Sequence, residues 1–310
     1  MGLLEVSIRF PHLGIELENL PKTFSVFGLE IAFYGVIIAL GMIAGYAVAQ
    51  WQARRTNQSP ELYLDFAMYA IVISILGARA YYVIFSWDEY KDDILQVFNI
   101  RGGGLAIYGG IIAAVLTAIV YSRVKKISFR LLADTGCTGL VTGQIIGRWG
   151  NFFNREAFGS YTDNLFAMQL MRNEVSQAAV ANDPAYLENL KVIDGIEYIQ
   201  VHPTFLYESM WNFALLIILL VCTKYKKFDG ELILIYLGGY GLGRAIIEGL
   251  RTDQLLLWNT NIAISQAIGI VTAVICFGLI IYKRVRMALV DDNSKLSRLI
   301  ADKKKAKIKK

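Results

Sequence analysis

The chain is 310 residues long, 55% hydrophobic and only 18% charged, with a net charge of +5. A soluble domain carries about 25% charged residues, and here the deficit comes from apolar runs longer than the roughly 18 residues needed to cross a bilayer. The positive surplus is concentrated in residues 301–310, which hold six lysines; beside a membrane span such a tail points to anionic lipid and the cytoplasmic face, not to nucleic acid.

In chain order, residues 1–24 are mixed polar and apolar and read as an extracytoplasmic segment with no signal peptide. Seven spans are then expected, at about 25–49, 64–86, 104–122, 131–149, 204–223, 231–249 and 260–282. The fourth carries Gly136, Gly139, Gly143 and Gly147, a spacing that lets helices pack closely in lipid. Residues 150–203 are too polar to cross and form an extracytoplasmic subdomain, and 283–310 form a basic cytoplasmic tail. The fold class is therefore all-α integral membrane. The positive-inside rule orients it: connections 50–63, 123–130, 224–230 and 283–310 hold 20 Lys and Arg, against eight in the other set. That places the N-terminus outside and the C-terminus inside. Cys137, Cys222 and Cys276 lie far apart in apolar runs and read as inert thiols. With only His12 and His202 as histidines, no metal site and no cofactor is expected.

The remaining three basic residues are Arg79, Arg148 and Arg244, in spans two, four and six. Each falls in the last third of a span running outward, so all three approach the outer leaflet. An arginine at mid-span costs about 2.5–3.5 kcal/mol on insertion scales, less near the interface. Snorkelling or a carboxylate partner explains one such residue. Three at one level suggest a pocket for an anion such as a phospholipid headgroup, because the planar guanidinium fork binds phosphate oxygens in pairs.

Four segments surround this layer. Gly147-Arg148-Trp149-Gly150-Asn151-Phe152-Phe153-Asn154-Arg155-Glu156-Ala157-Phe158-Gly159 straddles the outer end of span four. Gly239-Tyr240-Gly241-Leu242-Gly243-Arg244 continues to Glu248 and Arg251. In it Tyr240, Arg244 and Glu248 share a helix face, and Glu248 can also simply neutralise Arg244. Arg101 to Gly110, with Tyr108 and Gly109, opens span three as a hinge, a close ligand approach or a packing surface. His202-Pro203-Thr204-Phe205-Leu206-Tyr207-Glu208 re-enters the membrane, with Pro203 well placed at a helix start. Tyr34 falls in the same outer layer.

Together these segments resemble the bacterial prolipoprotein diacylglyceryl transferases. Residues 147–159 fit that family's signature G-R-x-G-N-F-x-N-x-E-x-x-G at every fixed position. The resemblance runs from about Tyr34 to Arg251. It implies a multi-pass enzyme of the bacterial cytoplasmic (inner) membrane, active toward the outer leaflet. Its substrates are phosphatidylglycerol and prolipoprotein signal peptides with a lipobox cysteine, and glycerol 1-phosphate leaves. It implies that Arg148 and Arg244 bind the phosphate, and it points to Tyr34, Asn151, Glu156, Gly159, Tyr240 and Glu248 as functional. Tyr108 stands where the family often has the histidine cast as base, and Phe205 where it commonly has Gln. A phenol ionises near pH 10 and is a poor base at neutral pH. A thiol ionises at about 8.5, lower beside arginines, so no strong base is needed, with His202 next in line. A small-anion transporter is the main rival; the absence of an internal repeat and the charged layer at one leaflet count against it.

Overall fold

The computed structural model describes residues 6–100, 103–257, 260 and 262–308, with side chains as far as 290. Arg101 and Gly102 of the glycine-rich segment and Lys309 and Lys310 of the tail lie outside the described residues, and the side chains of the other tail lysines are not described. The chain divides into two compact units, Thr23–Gly150 and the combination of Met1–Lys22 with Asn151–Lys310.

The first unit begins with a hairpin, β3 (Thr23–Val26) and β4 (Leu29–Ala32), numbered after the two N-terminal strands described below. It runs into α1 (Phe33–Arg55), α2 (Pro60–Phe85), α3 (Ile107–Val124) and most of α4 (Phe129–Asn154). The hairpin corrects the expected first span, whose helix begins at Phe33 and not at 25. Phe27 and Gly28 both have positive φ, 51° and 78°, the two-residue turn whose twist matches paired strands, so residues 23–32 pair with each other before the helix can start. Glycines set the helix contacts. A β-carbon on Gly45 would fall 2.5 Å from the Gly139 carbonyl oxygen, and one on Gly41 would fall 3.1 Å from that of Gly143, so α1 and α4 touch backbone to backbone. Gly136 has nothing within 4 Å of that position and plays no part.

The second unit contains β1 (Val6–Phe10), β2 (Ile15–Glu18), β5 (Met168–Met171), β6 (Lys191–Ile193) and β7 (Ile196–Val201). The short helices α5 (Gln177–Ala181) and α6 (Ala185–Glu188) follow β5. The long helices α7 (Thr204–Tyr225), α8 (Glu231–Glu248) and α9 (Ile264–Ile308) complete it. The strands form one antiparallel sheet in the order β2-β1-β5-β7-β6. The all-α expectation is thus corrected: the chain is predominantly helical and carries a five-stranded sheet. The strands are three to six residues long, and β1 pairs with a strand some 160 residues away, so no local pattern announces the sheet. Its apolar face buries Ile8, Phe10, Leu170, Ile199 and Val201 against Phe152 at the end of α4 and Phe205 at the start of α7. The Phe152 and Phe205 rings pack tilted against each other, with centroids 4.8 Å apart. An apolar ring at 205 therefore serves this core, which accounts for the departure from Gln there.

Among the described residues, α1, α2, α3, α7 and residues 264–290 of α9 are long and apolar enough to cross a membrane. α4 and α8, which carry the arginine–glycine segments, are 26 and 18 residues long but fall short in apolarity.

Candidate active site

Helix α4 ends in a turn that explains the spacing of its polar residues. The Arg155 N–H bonds the Phe152 carbonyl at 3.1 Å and the Glu156 N–H reaches back to the Asn151 carbonyl at 3.1 Å. Arg155 sits in the left-handed region at φ 54°. This is a Schellman cap, normally closed by glycine. Because the cap folds the sixth residue back over the first, Glu156 returns to Asn151. The Asn151 and Asn154 amides both donate to Glu156 Oε1, at 2.9 and 3.2 Å.

The chain then threads between the start of α7 and the end of α8. Gly159 N–H donates to the His202 carbonyl at 2.9 Å, His202 N–H to Ser160 at 3.0 Å, and Ser160 N–H to Leu250 at 2.8 Å. Gly159 also pairs across to Arg251. A β-carbon there would lie 2.7 Å from the Leu250 oxygen and 2.8 Å from His202 Cβ. Gly159 is therefore required for close approach.

Arg244 lies among carboxylates. Its Nη2 is 2.6 Å from Glu248 Oε2 and its Nη1 3.3 Å from Glu208 Oε1. Arg251 pairs with Asp253 at 2.7 Å and lies 3.9 Å from both Glu208 and Glu248. Ser265 donates to Glu248. Glu208 and Glu248 are only 5% and 4% exposed. The neutralising reading of Glu248 holds, and Glu208 joins it. Two carboxylates fix the guanidinium's plane in advance, while its side chain keeps 21% of its surface exposed. The role of Glu208 was missed in the sequence, although a carboxylate one turn inside an apolar helix already signals a buried cation partner. Tyr240, one turn before Arg244, stacks on Tyr236 at 5.9 Å. The surrounding glycines make room for neighbours: a β-carbon on Gly239 would meet Leu215, one on Gly243 the Trp211 ring, and one on Gly241 the Gly269 backbone.

His202 is half-buried, and burial pushes its imidazole below the usual value of 6.5. Its Nδ1 faces the Tyr207 hydroxyl at 3.2 Å and the Asn164 amide at 3.4 Å. The folded protein therefore resists a proton that the unfolded chain accepts near pH 6.5, so this group's contribution is lost as pH falls through that value. His202→Asn is expected to lose less melting temperature than the native protein between pH 7.5 and 5.5, measured by thermal unfolding in detergent. Asp163, held low by hydrogen bonds from His12 and Gln200, acts only closer to pH 4.

In the other unit, Arg148 is half-buried on α4, three residues before Asn151 and on the same face of that helix. Tyr34, the second residue of α1, lies against Gly150, where a β-carbon would come within 2.8 Å of its ring. Tyr108 is exposed at the second position of α3, and Gly109 sits in the α2–α3 contact opposite Gly77. Arg79 is committed to backbone. It donates to the carbonyls of Val97 at 2.8 Å, Gln96 at 2.5 Å, Gly103 at 3.1 Å and Gly104 at 3.0 Å, and it lies over the Tyr90 ring. Gly103 and Gly104, at φ 94° and 72°, turn their carbonyls toward it. Arg79→Ala is expected to destabilise the protein by about 2–4 kcal/mol, because several partly buried carbonyls lose a charged donor. Arg79→Lys, with no fork, should restore less than half, measured by denaturation in detergent.

A model of the prolipoprotein diacylglyceryl transferase family matches residues 21–282. The chain belongs to this family. Proteins of Listeria welshimeri and Clostridioides difficile, both named phosphatidylglycerol–prolipoprotein diacylglyceryl transferase, are similar to it. The first is 43% identical over 267 residues, covering 86% of this chain and 91% of that protein. The second is 39% identical over 253 residues, covering 81% and 92%. A Finegoldia magna protein of the same name is 40% identical over 273 residues, covering 88% and 98%.

Proposed function

We infer that this chain transfers the diacylglyceryl group of phosphatidylglycerol to the thiol of a prolipoprotein lipobox cysteine, releasing glycerol 1-phosphate. The observation that carries this reading is the folding of the 147–159 signature: its Schellman cap returns Glu156 to Asn151. In the proposed step the cysteine sulfur attacks the glycerol carbon bearing the phosphodiester. A C–S bond forms, the C–O bond breaks, and the electron pair leaves with the phosphate, which also takes up the thiol proton. Charge grows on the departing phosphate, where fixed guanidinium groups stabilise it most in the transition state. Arg148 and Arg244 supply those groups, and Arg244 is pre-oriented by Glu208 and Glu248. Asn151, Glu156, Gly159, Tyr34, Tyr240, Glu248 and Gly109 shape the lipid and peptide contacts. The arginines lower the thiol's proton affinity, so no strong base is needed; His202 and then Tyr108 are the alternatives. In this reading seven helices span the cytoplasmic membrane with the N-terminus outside, and the sheet stands on the outer side.

The experiment is reconstitution. Purified protein in phosphatidylglycerol vesicles should add one diacylglyceryl mass to a lipobox peptide and release glycerol phosphate one for one. Inactive native protein would sink the reading. The pH–rate profiles of Tyr108→Phe and His202→Ala decide the proton question: both unchanged means that neither is the base.

A further inference from the structure

Arg155 occupies the one position of the α4 cap where glycine is the natural residue. A side-chain-bearing residue at φ 54° is strained. Its guanidinium is also fully buried, with 0% side-chain exposure, which costs desolvation. Two unfavourable features at one residue, immediately before Glu156, need a compensating role.

The contacts of that guanidinium show where the compensation comes from. Nε is 2.7 Å from Glu174 Oε2 in the turn after β5. Nη1 donates to the Phe153 carbonyl at 2.7 Å, and Nη2 donates to the carbonyl of Leu20, just after β2. Lys22 in turn donates to the Glu174 carbonyl at 2.7 Å, and the Leu20 N–H donates to Ser7 of β1 at 3.1 Å. One side chain thus ties the last turn of α4 to two strands' connections in the sheet. A glycine would close the same cap with no such tie.

We propose that Arg155 is a positioning residue: its buried guanidinium locks the α4 cap onto the sheet and thereby fixes the direction in which Glu156 presents its carboxylate. The proposal rests on Glu156 belonging to the transferase site. Arg155 need not touch substrate; it acts through the backbone it strains and holds.

The test uses the full chain in phosphatidylglycerol vesicles with a lipobox peptide. Arg155→Gly relaxes the backbone but deletes the guanidinium. It should lower kcat at least tenfold while KM for phosphatidylglycerol stays within twofold. Arg155→Lys can meet Glu174 but not both carbonyls, and should recover part of the loss. Glu174→Gln, which keeps Arg155 and the cap, should lower kcat about threefold with KM unchanged. Arg155→Gly with kcat within twofold of native overturns the proposal, as does a kcat loss matched by an equal rise in KM. If Arg155→Gly does not fold, Glu174→Gln decides, and a native kcat there overturns it. Glu156→Gln runs alongside. If it is fully active, the site reading fails and takes the proposal with it. If it is inactive while Arg155→Gly is native, the proposal alone fails.

Discussion

Arg244→Ala is expected to lower transfer by roughly 100- to 1,000-fold, the usual cost of removing a fixed donor from a developing anion. It should also lower stability, because Glu208 and Glu248, 5% and 4% exposed, would be left as buried charges facing each other. Breaking a buried pair by removing one partner costs about 3–5 kcal/mol. Arg251, 3.9 Å from each carboxylate, offsets only part of this. The two effects separate in Arg244→Lys. An ammonium restores the charge balance between α7 and α8, but it cannot satisfy two carboxylates and a phosphate through a planar fork. Melting temperature should recover while kcat remains at least tenfold low. Arg148→Ala should show the activity loss as well. If both alanine variants keep native activity, headgroup binding by these arginines is wrong.

Gly159→Ala is expected to cost about 1–3 kcal/mol of stability through overpacking and about 10- to 100-fold in kcat. The new methyl group would lie 2.7 Å from the Leu250 oxygen, 2.8 Å from His202 Cβ and 3.1 Å from Thr204 Cγ2. Two of these are backbone or next to it, so the loop must move as a body. It carries Glu156 at one end and bonds His202 and Leu250 at the other, and a displacement near 1 Å is enough for a hundredfold loss. Gly136→Ala is the control. Nothing lies within 4 Å of its β-carbon position, and alanine favours a helix interior over glycine, so stability and activity should hold or rise. Equal behaviour of the two variants, measured by unfolding and by transfer rate, would refute the close-approach account of Gly159.

The long helices were legible because each apolar run must satisfy its backbone internally in lipid. The expected 204–223 and 231–249 correspond to Thr204–Tyr225 and Glu231–Glu248. The sheet was not legible. β1 reads as an ordinary mixed segment until it meets Gln169 and Leu170, and its partners are chosen by a core that includes Phe152 and Phe205 from two helices. Hairpin β3–β4 had only Gly28 as a local signal, because Phe27 takes up positive φ without being a residue that favours it.

The intramembrane arginines show the division most clearly. By itself the sequence determined that Arg79, Arg148 and Arg244 each needed compensation, by snorkelling, a carboxylate or a bound anion, since an uncompensated guanidinium in a span is costly, and the 147–159 signature pointed to the family. Only the tertiary structure decided that Arg79 meets backbone carbonyls 17 to 25 residues along the chain, and that Arg244, beyond the Glu248 its helix spacing offered, meets a second carboxylate 36 residues back on α7. The reason is physical. The demand for compensation belongs to one residue and its depth, whereas the partner is chosen by which helices and turns pack together.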